Sequence, residues 1–293
     1  MEALNILCGF GGFFMSYKII VDSCGELTSE MKESGHYMTA SLSMHVNGTD
    51  VADDETFDQA RFLKLVAESP QCPKSSCPSP EEYMALYACG ADRIYVVTLS
   101  SELSGSYNSA ELGRKLYEEE YGEKQIYVFN SRSASVGETL IALKIQECEE
   151  QGMSFDQVKT CVESYIRGQN TYFVLENLDT LRKNGRLTGI KSLVASALNI
   201  KPVMGSTPEG TICQLGQARG MKRALVKMTD YIVRNAENTE GRILGISHCN
   251  CPERAEEVRK MLTDRIKVKS SFIVDTAGIS TMYAYDGGII VVL

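Results

Sequence analysis

The first half of the chain alternates short apolar runs with longer segments in which apolar residues recur every three or four positions. A short apolar run is typical of a buried strand, and the longer spacing is typical of a helix with one buried face. The runs are residues 19–21, 94–98 and 125–129, and the helical segments are residues 57–68, 81–89, 105–121 and 135–151. Because such alternation indicates parallel βαβ units, it predicts a three-layer α/β/α domain with a parallel sheet over residues 17–165.

The second half of the chain has a different pattern. Its candidate strands are residues 171–175, 200–204, 243–247, 269–275 and 288–293, and its candidate helices are residues 178–183, 193–198, 218–235 and 252–266. The stretch Pro208-Glu209-Gly210-Thr211 has the composition of a hairpin turn. A hairpin inside an α/β pattern predicts a mixed sheet with helices on one side, so residues 166–293 are expected to form a second, two-layer α/β domain. The length of 293 residues also favours two domains.

Two segments do not fit this alternation. Residues 4–14 are apolar but lack the basic region that begins a secretion signal, and Met15 directly precedes a clean strand. We therefore expect residues 1–16 to be a non-structural extension; the alternative is a short apolar arm that packs on the body. Residues 70–80 hold four of the seven prolines and predict irregular structure.

Composition and charge exclude several classes of protein. A formal net charge of -8 argues against a general nucleic-acid or anionic membrane surface. No apolar run approaches the ~20 residues that a membrane helix needs. The ten cysteines lie mostly inside apolar patterns and at no framework spacing, so reduced thiols and a cytoplasmic location are expected.

The chain shows no complete catalytic set. Its three histidines lie outside any recognisable nucleophile or zinc-protease motif, and no phosphate-binding loop is present. The segment His248-Cys249-Asn250-Cys251 offers soft metal ligands but lacks a second ligand pair, which structural zinc sites usually have. We therefore expect no catalytic residue, no metal and no cofactor.

The most informative segment follows the strand at 94–98. Ser100, Ser101, Ser104 and Ser106 surround the start of the next helix, and Gly105 lets a ligand approach the backbone. A helix N-terminus carries unpaired N–H groups and partial positive charge, so it attracts a carboxylate or a phosphate. The alternative is that Ser104 only caps the helix.

Small hydroxyl residues also follow other strands of the first half. They are Ser23, Ser75, Ser76, Ser131 and Ser133. Because the carboxyl ends of parallel strands meet at one edge of the sheet, these groups are expected to converge into a polar, largely uncharged pocket. Ordinary turn chemistry would give the same serines without a pocket.

Six motifs in order make the chain resemble the DegV family of fatty-acid-binding proteins over residues 17–293. They are Val21-Asp22-Ser23, the segments 75–80, 99–110 and 181–187, the run Leu198-Asn199-Ile200-Lys201-Pro202, and Ala218-Arg219-Gly220. The resemblance implies a two-domain fold with a long-chain fatty acid in a tunnel between the domains. It also implies that a separate fatty acid kinase phosphorylates the carboxylate, so the chain itself would need no nucleotide site.

The resemblance carries particular roles to particular residues. Ser75, followed by Ser76, stands where the family commonly has a threonine, and it is the first candidate donor to the carboxylate. Ser104 and the N–H of Gly105 are the second. Tyr283 falls where the family often has a histidine; its phenol can still donate a hydrogen bond, or it is an ordinary aromatic residue at a strand end.

The roles of two arginines and the functional class of the protein stay open. Arg186 and Arg219 face the head group, dock the kinase, or merely occupy turns. In place of a carrier, the chain could be a kinase-like domain that acts on a small metabolite, or a regulatory lipid sensor. A narrow apolar tunnel would favour the fatty acid, and a short polar pocket would favour the metabolite.

Overall fold

A computed structural model of the protein describes residues 16–188 and 199–293. The expected extension, apart from Ser16, and the predicted helix at 193–198 lie outside the described residues. In chain order the strands are β1 (Tyr17–Asp22), β2 (Tyr37–Ala40), β3 (Ser43–Val46), β4 (Thr49–Ala52), β5 (Lys74–Ser76), β6 (Arg93–Thr98), β7 (Gln125–Asn130), β8 (Thr171–Val174), β9 (Ile200–Ser206), β10 (Ile212–Arg219), β11 (Ile243–His248), β12 (Ser270–Asp275) and β13 (Ile289–Val292).

Helices connect most of these strands. They are α1 (Ser29–Glu33), α2 (Gln59–Glu68), α3 (Pro80–Tyr87), α4 (Ser106–Tyr121), α5 (Val136–Glu150), α6 (Phe155–Gly168), α7 (Asp179–Lys183), α8 (Met221–Asn235), α9 (Pro252–Thr263) and α10 (Gly278–Ala284). No helix in the described part of the chain is long and apolar enough to cross a membrane.

The first half is built on a parallel sheet with strand order β2-β1-β6-β7. Successive side chains of a strand point to opposite faces, so Ile19 packs with α5 and α6 whereas Ile20 packs with α3 and α4. Both faces are therefore covered, which confirms the predicted three-layer arrangement.

A small antiparallel sheet, β4-β3-β5, lies beside this domain. Its strand β5 lies within the proline-rich segment 70–80, so the prediction of wholly irregular structure there was wrong. Pro73 and Pro78 flank the strand and do not interrupt it, and for this reason Ser75 can pair with Met44.

The second half has a mixed sheet with strand order β10-β9-β8-β13-β11-β12, in which only β11 and β12 are parallel. Helices α8 and α9 cover one face through an apolar cluster that includes Val174 and Met228. The other face, which carries Phe173 and Met204, turns toward the first half. The predicted mixed two-layer domain is confirmed.

One element boundary differs from the sequence prediction. Residues 218–219 belong to β10, because Gly220 at φ 81° separates this strand from α8. The division of the chain into domains at residues 165 and 166 stays a prediction; helix α6 ends at Gly168, three residues beyond Tyr165.

Candidate functional site

A cavity lies between the inner face of the mixed sheet and the loops at the carboxyl ends of β1, β6 and β7. The space among its lining residues amounts to about 740 Å³ when its opening to solvent is included. Its apolar lining residues are Leu99, Leu103, Phe173, Leu175, Leu181, Ile212, Ile279 and Ile290. Seven lining residues also carry a hydroxyl group (Ser133, Ser135, Thr171, Ser206, Thr211, Ser280 and Tyr283), but they expose little polar surface to the cavity, so the expected polar pocket is in fact mainly apolar.

Helix α10 carries Tyr283 into this cavity. The Tyr283 hydroxyl lies 3.1 Å from Oγ of Ser75 on β5, although the two residues are 208 positions apart. Burial raises the pKa of the phenol, so Tyr283 is neutral and can donate a hydrogen bond at physiological pH. The structure thus brings Ser75, the first candidate donor to a carboxylate, into contact with Tyr283. Tyr283 lies on a helix, so the alternative of an aromatic residue at a strand end is wrong.

A buried carboxylate fixes the start of α10. The N–H groups of Gly278 and Ile279 donate to the two carboxylate oxygens of Asp53 at 2.6 and 2.9 Å. A side chain at Gly278 would collide with this carboxylate and with Met44. The orientation of Tyr283 therefore depends on Asp53. Burial raises the pKa of Asp53 to about 6, against the opposing effect of the two donors.

Arg186 forms part of the cavity wall at the same end. Its guanidinium lies 5.9 Å from the centre of the Tyr283 ring, and its Nε donates to the backbone carbonyl of Leu103 at 3.1 Å. A half-buried cation beside a phenol and a serine hydroxyl can attract a carboxylate. Arg219 lies exposed at the end of β10, away from the lining.

The start of α4 is arranged differently from the sequence prediction. The helix begins at Ser106 with Gly105 as its N-cap residue, and Ser104 Oγ accepts the Ser106 N–H at 3.2 Å. The Ser106 hydroxyl donates to the buried carboxylate of Asp22 at 2.6 Å. An anion of the protein itself therefore occupies the inner side of this helix end. Ser104 is half-buried and Gly105 is exposed.

Most of the predicted serine cluster is engaged in turns. Ser23 Oγ accepts the Leu42 N–H, Ser131 Oγ accepts the Ser133 N–H, and Ser76 bonds Ser43 on the exposed side of β5. Because side chains alternate along a strand, Ser76 points to the side opposite Ser75. The hydroxyls lie near the sheet edge, as expected, but Ser23 and Ser131 accept from backbone groups there, and of the predicted serines it is Ser133 that lines the cavity.

Beneath the cavity lies an acidic cluster that the sequence reasoning did not identify. It consists of Asp22, Glu26 and Glu138, all buried, with the Cys24 thiol among them. Burial raises the pKa of Glu26 to about 7. Burial first, and the charge of Asp22 second, raise the pKa of Glu138 well above its usual value. The signal in the sequence was Glu138 inside an apolar helical segment.

Ser135 connects this cluster to the second half of the chain. Its Oγ lies 2.9 Å from both carboxylate oxygens of Glu26 and 2.6 Å from Oγ of Ser247 on β11. Its backbone has φ 59° and ψ -137°, which costs free energy in a residue other than glycine. The network of Glu26, Ser135 and Ser247 compensates for that cost.

His248, Cys249 and Cys251 do not assemble a metal site. Burial lowers the pKa of His248, and its Nδ1 lies 3.2 Å from Asp275. Over residues 16–188 and 199–293, no group of three His, Cys, Asp or Glu side chains has a metal-binding arrangement.

Comparison with known proteins identifies the DegV family. The family model of DegV, described as an uncharacterised protein family, matches residues 16–292. A DegV domain-containing protein of Streptococcus pneumoniae is 31% identical over 281 residues, which are 94% of this chain and 98% of that protein.

Two solved structures extend the likeness to the fold. A DegV family protein from Ruminococcus gnavus, refined with vaccenic acid, has 66% identity and a TM-score of 0.93, over 95% of this chain and 100% of the other. The fatty acid kinase B3 protein of Streptococcus pneumoniae, loaded with linoleic acid, has 28% identity and a TM-score of 0.84, over 95% of this chain and 99% of the other.

Proposed function

Since this chain belongs to the DegV family, we propose that it binds one long-chain fatty acid in the cavity between its two halves and acts as a carrier, not as an enzyme. The observation that carries this proposal is the chemistry of the cavity. Its walls are mainly apolar, and at one end the lining residues Tyr283 and Arg186 lie together, with Ser75, which is not itself a lining residue, bonded to the Tyr283 hydroxyl. A small polar metabolite would leave the apolar walls without a partner.

The acyl chain supplies most of the binding free energy in this proposal. Each methylene group that leaves water contributes ~0.8 kcal/mol, so a long chain outweighs any single polar contact. Phe173, Leu103 and Ile290 would contact the methylenes. Acids with shorter chains would therefore bind more weakly in proportion to the methylenes that they lack.

The carboxylate would lie at the Tyr283 end. Ser75 and Tyr283 each have a hydroxyl there, and Arg186 supplies the positive charge. We propose Ser104 and the N–H of Gly105 as further donors at the start of α4, on the side away from Asp22, although neither residue is among those that line the cavity. Ser76 would act only through β5, by fixing the strand that presents Ser75.

We propose further that a separate fatty acid kinase uses the bound acid. The kinase would transfer the terminal phosphoryl group of ATP to a carboxylate oxygen, giving an acyl phosphate and ADP. Its docking surface would include Arg219, which is exposed. A similar structure is that of a fatty acid kinase B3 protein, which supports this partner class.

Native mass spectrometry of the delipidated protein tests the binding proposal. Incubation with a long-chain fatty acid should give a one-to-one adduct, and incubation with dihydroxyacetone should give none. The double variant Ser75→Ala with Ser104→Ala should reduce acid binding more than it lowers the melting temperature. Uptake of the metabolite and not of the acid would contradict the proposal.

A further inference from the structure

The turn between β9 and β10 closes one end of the cavity. Gly210 and Thr211 of this turn form part of the lining, and Arg132 and Ser133 of the loop after β7 face them. The turn is rigid, since the Thr207 N–H donates to the Thr211 carbonyl at 2.8 Å and their side-chain oxygens are also 2.8 Å apart.

The closed end lies opposite Tyr283. The inner face of β8 and the residue after it present Thr171, Phe173 and Leu175 to the cavity, and these positions span ~13 Å at the usual rise per residue. Thr171 is bonded to Ser133 at 2.6 Å, and its N–H donates to Ser206, the last residue of β9 before the turn. Leu175 follows the other end of β8 and packs in one cluster with Tyr283. A fatty acid with its carboxylate at Tyr283 therefore directs its methyl end toward the turn.

A buried hydrogen bond fastens the turn to the first half. The Ser100 hydroxyl is buried and donates to the Gly210 carbonyl at 2.8 Å, and the Arg132 guanidinium reaches the Pro208 carbonyl at 3.4 Å. Gly210 has φ 93°, and a methyl group added to it would lie 2.8 Å from Cα of Arg132 and against Ser100 Oγ. Only glycine allows the turn to approach so closely.

We infer that Gly210, held by Ser100, sets the length of the longest acyl chain that the cavity accepts; this inference rests on the proposed function. A chain that ends before the turn fills the apolar space. A longer chain must push the turn away, which breaks the bond between Ser100 and Gly210 and exposes methylenes to water. Affinity should rise with chain length to a limit and then fall.

Three variants and a series of saturated fatty acids, each longer by two carbons, test the inference by calorimetric titration of delipidated protein. Ser100→Ala frees the turn and should improve the affinity for the first excluded acid by about tenfold, the value of its two additional methylenes. Thr211→Leu adds bulk at the closed end and should move the limit to shorter acids. Ser101→Ala, in the same loop but bonded to Asn130, is the control and should keep the limit of the wild type.

The outcomes distinguish a failure of the proposed length limit from a failure of fatty acid binding itself. Opposite shifts of the limit in Ser100→Ala and Thr211→Leu support the inference. A limit that stays the same in both variants, or equal weakening for every chain length, overturns the inference while fatty acid binding stands. Wild-type protein that binds no acid of any length overturns both. Melting temperatures within a few degrees of the wild type establish that each variant is folded.

Discussion

The Tyr283 hydroxyl lies 3.1 Å from Oγ of Ser75, which joins the last helix of the second half to the small antiparallel sheet of the first. Each hydroxyl has a single O–H to donate, so an entering carboxylate must replace the bond between the two groups. A carboxylate that enters between them can accept from both. The contact therefore ties ligand binding to the packing of the two halves.

Removal of the Tyr283 hydroxyl tests this head-group site. Tyr283→Phe should weaken binding of a long-chain fatty acid by roughly tenfold to a hundredfold, because a hydrogen bond to a charged group contributes about 1.5–3 kcal/mol. The melting temperature should change little. Titration calorimetry measures the affinity. Unchanged affinity in this variant would place the carboxylate elsewhere.

A histidine at the same position should make binding depend on pH. The imidazole titrates near neutral pH, so Tyr283→His should bind the acid more tightly below its pKa, where it is positively charged, than above it. The wild type should lack this increase in affinity at low pH, since burial keeps the Tyr283 phenol neutral over the same range. Equal pH profiles for variant and wild type would argue against contact with the carboxylate.

Replacement of Arg186 distinguishes a cavity residue from a docking residue. Arg186→Met should weaken acid binding by about tenfold, because it removes the positive charge beside Tyr283. Arg182→Met, on the exposed side of α7, is the matched control and should have no effect. Arg219→Ala should leave acid binding intact and lower the rate at which a kinase phosphorylates the bound acid. Normal binding in Arg186→Met would contradict its assignment to the site.

The position of α10 should depend on Asp53. Asp53→Asn keeps one acceptor oxygen but presents an amide to the second N–H, so we expect a loss of about 1–3 kcal/mol in the free energy of unfolding. Acid affinity should fall with it, since Tyr283 lies on this helix. Urea denaturation and calorimetry measure the two effects. A loss of stability without any loss of acid affinity would contradict the claim that acid binding depends on the position of α10.

Glu26 should make the protein less stable as the pH rises. Its pKa is 4.5 in an unfolded chain and about 7 in the fold, so the folded state binds more protons between these values. The contribution of Glu26 to the free energy of unfolding is therefore greatest below pH ~4.5. It declines by at most roughly 3 kcal/mol as the pH rises from ~4.5 to ~7. Glu26→Gln should flatten this decline in melting temperature, whereas the exposed Glu33→Gln should not. A wild-type stability that rises from pH ~5 to ~7 in step with Glu26 would contradict the assignment.

Much of the fold follows from the apolar pattern. The buried runs of β6 and β7 and the amphipathic segment of α4 have strong periods, and the structure places these elements within a residue or two of the predictions. Helix α6 was missed although it carries a clear signal, with Ser154 and Gln157 forming a capping box before an amphipathic face.

The pattern of apolar residues does not predict helix α10. It is buried on almost every side and is rich in glycine, serine and threonine, so it has neither a polar face nor high helix propensity. For the same reason the approach of Tyr283 to Ser75 depends on tertiary packing through Asp53. The motifs identified both residues, but only the fold brings them together.

A crystal structure of the protein with a bound saturated long-chain fatty acid would locate the carboxylate and the methyl end of the ligand. We expect one acid per chain, with its carboxylate within hydrogen-bonding distance of the Ser75 and Tyr283 hydroxyls, its chain against Phe173, and its methyl end near Gly210. A carboxylate at the Gly210 end of the cavity, or an acid bound outside the cavity, would contradict this expectation.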